Sequence, residues 1–275
     1  MDWFEALIIG IVQGLTEFLP ISSTAHVRLV PELLGWSDPG AAFTAVIQLG
    51  TLLAVLVYFR EDLSRAIGGW VRGIRGGEAA RTPEARLGWA VFWGTIPAVV
   101  LGVLLKDYIE GDFRSLYVIC GSLIGVGILM ATAEVIAKHR RKLESVKPAD
   151  GWAVGFWQAL ALVPGVSRSG STITGALFLG FDRATAARFS FLLSVPAILL
   201  AGIYELIKER ERLVDVGIAP VVIATFAAFA VGYLSIGFLL RFLRTRSTAV
   251  FIVYRFALAA LLLFLLANGT LKPHA

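Results

Sequence analysis

One cysteine, three histidines and a charged fraction of only 16% leave this 275-residue chain short of the side chains most soluble enzymes rely on. The lone Cys120 lies in an apolar run, which excludes an intramolecular disulfide and a thiolate metal cluster. No Arg follows it six residues later, which argues against a cysteine-nucleophile phosphatase. No Gly-x-x-x-x-Gly-Lys-Ser/Thr loop is present to cradle a nucleotide, and no His-Glu-x-x-His helix to hold zinc. Ser167-Arg168 resembles the start of a membrane acid-phosphatase motif, but Thr174 stands where that motif needs His. The opening Met1-Asp-Trp-Phe-Glu5 has no basic region or small-residue cleavage site, so no cleaved signal peptide is expected.

What fills the space is apolar. The chain is 57% hydrophobic with a mean hydropathy of +0.77, whereas an ordinary soluble domain is roughly a quarter charged. The reading is an all-α integral membrane protein. Apolar runs at 43–59, 88–105, 116–136, 188–207, 219–240 and 249–267 each approach the roughly 20 residues a spanning helix needs. The net charge of +5 could suggest nucleic acid, but the basic residues gather in two loops, at 60–87 and 137–151. The positive-inside rule explains that better, makes both loops cytoplasmic and leaves no call for a nucleic-acid partner.

Segments 1–25 and 152–182 are also apolar, but polar strings interrupt them: Glu17-Phe-Leu-Pro-Ile-Ser-Ser-Thr-Ala-His26 and Pro164-Gly-Val-Ser-Arg-Ser-Gly-Ser171. Gly10-x-x-Gln13 precedes Ser22 by the interval that separates Gly155-x-x-Gln158 from Ser167. Phe43 and Tyr58 match Phe189 and Tyr204 at another constant offset. The expectation is one membrane domain over 1–275, with a repeat at about 1–136, a cytoplasmic loop at 137–151 and a second repeat at about 152–267. If 152–182 dips in and returns, the repeats are inverted, giving six transmembrane helices plus two re-entrant hairpins. If it crosses, they are not; the Lys/Arg balance barely separates the two, and the internal symmetry favours the inverted repeat with six spans and two re-entrant hairpins. Inverted repeats with interrupted helices point to the interruptions as the binding site.

Gln13 and Glu17 are four apart and share a helix face just before Pro20 breaks the helix. Ser22, Ser23 and Thr24 then stand where a new helix starts, leaving free backbone N–H groups. Ser167, Arg168, Ser169 and Gly170 repeat this after Pro164-Gly165. Two helix starts and one Arg make an anion receptor, and phosphate is the natural guest. Glu17 and His26 add acid–base or metal-binding capacity. His139 sits in a basic loop and His274 in the tail.

Plainer roles compete. Ser171 and Thr172 suit bonds back to the preceding turn. Gly10, Gly14, Gly175 and Gly180 suit close helix packing. Glu17 could simply pair with a buried Arg. Glu5, Glu134, Arg183 and Arg188 read as interfacial anchors, and Arg255 is open between structural pairing and site support.

Gln13-Gly-Leu-Thr-Glu17 leading to Ser22-Ser23-Thr24 and His26, together with Pro164-Gly-Val-Ser-Arg-Ser-Gly170, resembles the bacterial undecaprenyl-pyrophosphate phosphatases, or bacitracin-resistance proteins. The chain has Gln13 where many members carry Glu, which leaves one carboxylate rather than two. The resemblance implies hydrolysis of undecaprenyl pyrophosphate, a divalent cation such as Mg²⁺ or Ca²⁺ for which Glu17 is the candidate ligand, and a homodimer. It implies a site toward the outer face of the bacterial cytoplasmic membrane and competition with bacitracin for the polyprenyl pyrophosphate lipid. On that reading Ser23 attacks phosphorus, Glu17 or His26 takes its proton and Arg168 grips the phosphoryl oxygens, with Gln13, Ser22, Thr24, Ser167, Ser169 and Gly170 around the substrate. His26 is the rival nucleophile. A transporter or flippase of polyprenyl phosphate lipids is the alternative of a different class, and it needs no nucleophile beside a carboxylate.

Overall fold

The computed structural model describes residues 1–37, 40–105, 108, 113, 115–208 and 217–273, with Ala41 described by its backbone only; His274 lies outside them. Among these residues the chain forms eleven α-helices: α1 (Trp3–Phe18), α2 (Ser23–Leu34), α3 (Gly40–Tyr58), α4 (Arg60–Gly73), α5 (Pro83–Leu104), α6 (Leu116–Ile136), α7 (Pro148–Leu160), α8 (Arg168–Phe178), α9 (Arg183–Lys208), α10 (Ile218–Leu243) and α11 (Ala249–Ala267). The one extended pairing among them is a single bridge between Arg141 and Phe181.

Local chemistry sets the helix starts. Asp2 caps α1 through a reciprocal pair with Glu5, so Glu5 closes a capping box instead of serving only as an interfacial anchor. Thr82 caps α5 ahead of Pro83, whose missing N–H costs nothing at that position. Five helices are long and apolar enough to cross a membrane: α5, α6, α9, α10 and α11. α3 passes the same test only together with α4, from which it is bent by 79° at Phe59. The bend falls where the apolar run meets Arg60-Glu61-Asp62, and the polar α4 turns away from the bilayer direction.

The four helices around the polar strings are short, at 16, 12, 13 and 11 residues for α1, α2, α7 and α8. At 1.5 Å per residue none exceeds about 24 Å, less than a hydrocarbon core of roughly 30 Å. They form two hairpins. Near the start of α7, Asp150 accepts from Arg141 at 2.6 Å. The same Arg141 donates to the Leu179 carbonyl beyond α8 at 3.2 Å, and Lys142 pairs with Asp182 at 3.2 Å. Residues 148–182 therefore enter and leave at one end of the molecule, as the re-entrant alternative requires. The first hairpin closes likewise, with the Phe4 and Trp36 rings 6.3 Å apart. Its open end lies by the start of α3, whereas the far end of α3 meets α9 through Arg188–Asp62, bonded at 2.5 and 2.8 Å. The hairpins open to opposite ends.

Each hairpin docks its first helix on a distant span, α1 on α10 and α7 on α5. Glycines permit it: a Cβ on Gly10 would strike the Ala224 backbone, and one on Gly155 the Gly94 backbone. Gly14 and Gly175 pack likewise, against Ala228 and Trp157. Gly180 does not; at φ +84° it makes the turn after α8, with little around it. Arg183 and Glu134 form an ion pair that Thr248 extends by donating to Glu134 at 2.7 Å. Arg183, Arg188 and Glu134 thus tie helices together instead of reaching only for the interface.

Candidate active site

The two breaks meet in the middle of the bundle. Ser22 and Ser167, the residues before α2 and α8, share an unusual backbone: φ 75°, ψ 97° and φ 70°, ψ 118°. Non-glycine residues at positive φ cost of order 1–3 kcal/mol and persist only where the surroundings hold them. Here both hydroxyls act as caps, accepting from Ala25 N–H at 3.4 Å and Gly170 N–H at 3.1 Å.

Glu17, 5% exposed near the end of α1, is the hub. Its Oε2 accepts from Gln13 Nε2 and from Ser23 Oγ, both at 2.8 Å. Its Oε1 accepts from Gln48 Nε2 at 2.8 Å and forms an ion pair with Arg168. The carboxylate is fully partnered by an arginine and three neutral donors, and removing the arginine would leave it without its one opposite charge. The pairing of Glu17 with a buried Arg and its contact with the candidate nucleophile are both present. Ser169 reaches across the same junction, donating to the Leu19 carbonyl at 3.1 Å.

His26, one turn into α2, faces elsewhere. Its Nδ1 lies 2.7 Å from the Ser22 carbonyl, so Nδ1 carries the proton. Its Nε2 lies 2.6 Å from the Tyr254 hydroxyl, which donates to it when the ring is neutral. No hydrogen bond joins it to Ser23 or Glu17. Thr24 is exposed. Ser171 and Thr172 both bond back to the Arg168 carbonyl, at 3.1 and 2.6 Å. The structure therefore gathers Gln13, Glu17, Ser23 and Arg168, uses Ser22, Ser167, Ser169 and Gly170 to shape the junction, and sets His26 beside it.

Three residues complete the picture. Gln48 on α3 fills the fourth donor position on Glu17, Tyr254 on α11 fixes the His26 ring, and Arg255 holds both breaks. The Arg255 guanidinium is 0% exposed and donates to Pro20 O at 3.2 Å in the first break and Gly165 O at 3.1 Å in the second. It also donates to Leu123 O and Ser122 O at 3.1 Å. Its partners are all backbone carbonyls, and they span the two halves. Polar residues inside apolar spans carry the signal that finds such sites. Gln48 has only that faint mark within its run.

Glu17 is a poor fit for a resident metal in this arrangement. Four donors already occupy its oxygens, and no group of three His, Cys, Asp or Glu able to hold an ion exists among the described residues. The buried Gln13 Oε1 has no partner, but one neutral amide oxygen does not make a cation site.

Fold and site together define a multi-span, all-helical membrane protein whose polar centre is built from two broken helices. The family model described as Bacitracin resistance protein BacA matches residues 6–261, and the chain belongs to this family. It is 54% identical over 273 residues to an undecaprenyl-diphosphatase of Myxococcus xanthus, covering 99% of this chain and 92% of the relative. An undecaprenyl-diphosphatase of Chlorobium phaeovibrioides is 52% identical, with 99% and 100% covered. Undecaprenyl-diphosphatase 2 of Streptomyces coelicolor is 47% identical, with 100% and 98% covered.

Proposed function

We propose that this protein is a membrane phosphatase that hydrolyses undecaprenyl pyrophosphate to undecaprenyl phosphate and inorganic phosphate, recycling the lipid carrier of cell-wall synthesis. The observation that carries the reading is the Ser23 hydroxyl, 2.8 Å from one oxygen of a carboxylate whose other oxygen holds Arg168. The names of the relatives supply the substrate.

In the free protein, Glu17 is the anion on Arg168. An incoming terminal phosphate competes for that guanidinium, and as Arg168 turns to it, Glu17 Oε1 is released while Oε2 stays on the Ser23 hydroxyl. Ser23 Oγ then attacks the phosphorus, its proton passes to Glu17 Oε2, and the P–O bond to the bridging oxygen breaks, releasing undecaprenyl phosphate. Glu17 passes that proton to the departing bridging oxygen; water then attacks the phosphoserine, and its proton goes to Glu17 and on to Ser23 Oγ as the serine P–O bond breaks, which restores the hydroxyl and releases inorganic phosphate. Arg168 and the N–H groups at the start of α8 face the charge that develops on phosphorus oxygens. A divalent cation, Mg²⁺ or Ca²⁺, belongs in this scheme to the substrate's diphosphate, and no step above runs through it.

The same proposal treats about 1–136 and 152–267 as inverted repeats of one membrane domain, because the strained cap recurs 145 residues on, at Ser22 and Ser167. It extends to a site toward the outer face of the bacterial cytoplasmic membrane, a reading supported by the first hairpin opening away from the basic loops. There bacitracin would compete for the same lipid diphosphate, and the family resemblance extends the proposal to a homodimer.

Phosphate release from detergent-solubilised protein tests the function where no sidedness exists. Turnover is expected, with a covalent intermediate trapped at Ser23 and located by mass spectrometry. Lipid binding without phosphate release would make the protein a transporter or flippase, and phosphate on His26 would sink the serine mechanism.

A further inference from the structure

A cavity of about 420 Å³ lies at the far end of α3 from the first hairpin's opening. It sits between the α3–α4 bend, the first turns of α9 and the end of α10, lined among others by Tyr58, Arg60, Asp62, Arg188, Tyr233 and Arg244. The charges there are not balanced. Arg188 is spent on Asp62, through bonds of 2.8 and 2.5 Å. Glu61, also on the rim, pairs with Arg65 at 3.4 Å. Among the described residues the Arg60 and Arg244 guanidiniums have neither a carboxylate nor a hydrogen-bond partner, so the cavity carries two uncommitted cations.

It is separate from the catalytic centre. Gln48, which touches Glu17, and Tyr58 are ten residues apart on one helix, roughly 15 Å along its axis. Between them the rings of Phe18, Phe191 and Phe59 follow one another at 5.3 and 6.0 Å, all 3% exposed or less. The cavity also faces the other side of the membrane. Arg60 opens the six-arginine loop 60–87, and Arg244 lies with Arg241 and Arg246 at a further basic turn lining the same cavity, which by the positive-inside rule assigns both to the cytoplasmic face. On its membrane side, Val57 and Tyr233 are 38% and 39% exposed, and Leu53, one turn before Val57, is 48% exposed. A chain leaving the cavity in that direction meets apolar surface.

We propose that this cavity binds a phosphate group on the cytoplasmic face, held between Arg60 and Arg244. Paired guanidiniums suit phosphate because their fixed forks match its oxygens. The group can come from an anionic lipid of the inner leaflet, whose chain would lie past Val57 and Leu53, or from free phosphate.

The test measures binding of dodecyl phosphate, and separately of inorganic phosphate, to the full protein in phosphatidylcholine nanodiscs. The variant is Arg60→Gln with Arg244→Gln; both side chains are exposed and unpaired, so the fold has little to lose. Dodecyl phosphate is expected to bind the variant at least tenfold more weakly, with melting temperature and diphosphatase turnover within about twofold of the parent. Ser23→Ala is expected to keep this binding while losing turnover, which separates failure of the cavity from failure of the catalytic reading. Inorganic phosphate matching dodecyl phosphate assigns the site to the free anion, and dodecyl phosphate alone assigns it to lipid. Undiminished binding of both probes in the variant, or a turnover loss equal to the binding loss, overturns the proposal.

Discussion

A hydroxyl, a carboxylate and a guanidinium meet where the two breaks join, and each is legible in the sequence because it interrupts an apolar string. Glu17, Ser23 and Arg168 stand out for that reason. Their neighbours do not. Tyr254 meets His26 across 228 residues, and no local pattern announces a contact that only folding creates. Its hydroxyl fixes the ring in the tautomer with Nδ1–H toward Ser22. Tyr254→Phe is expected to leave the melting temperature nearly unchanged, since one net hydrogen bond contributes about 1 kcal/mol. If His26 assists catalysis only in that orientation, kcat falls about tenfold with KM little changed, and steady-state kinetics in detergent read the split. Arg168→Ala should lower turnover by at least about a thousandfold, consistent with loss of a main electrostatic stabiliser. Intrinsic tryptophan fluorescence checks that the variant remains folded.

Hydropathy locates the helices well at the scale of elements, because length and apolarity are what a bilayer demands. Boundaries are less visible: α5 begins at Pro83 and α9 at Arg183, each five residues ahead of the apolar run, since polar first turns belong to the helix but not to the membrane. The return of 148–182 to its own starting end is also invisible to charge counting. It depends on Arg141 reaching Asp150 and Leu179 together. The breaks themselves depend on Arg255. Replacing it with Gln frees carbonyls at Pro20 and Gly165 and should cost about 3 kcal/mol or more, by analogy with other buried charged hydrogen-bond networks. The expected result is a clear drop in melting temperature, and turnover that does not recover when the protein is assayed well below that temperature. Full activity in the cold would mean that Arg255 supports the fold but not the site. Gly10→Leu would drive a side chain into the Ala224 backbone and separate α1 from α10, a packing failure that reduced expression and melting temperature should report.

At the scale of the whole molecule, one end collects four ion pairs: Arg141–Asp150, Lys142–Asp182, Arg183–Glu134 and Arg188–Asp62. Asp182 shows what acid does there. Burial pushes its carboxyl up, but the Thr185 N–H and hydroxyl and Lys142 outweigh that and hold it below the usual range. A depressed carboxyl stabilises the fold above its unfolded value of about 4 and loses that contribution as pH falls through the folded one. Melting temperature should be insensitive to this group from pH 7 to about 5 and fall below about 4, and Asp182→Asn should flatten part of that fall.

The ring series Phe18, Phe191 and Phe59 has a bioenergetic meaning as well. Two polar hairpins that open to opposite ends of the bundle bring hydroxyls, a carboxylate and arginines to its middle, which in an energised membrane would be the makings of a proton leak. The buried rings of Phe18, Phe191 and Phe59 stand between the Glu17 junction and the basic end, where they would deny water a continuous file. On the proposed mechanism, protons released at Ser23 and the phosphate that follows would then leave by the side through which the substrate came, and the chemistry would run without discharging a gradient across the membrane.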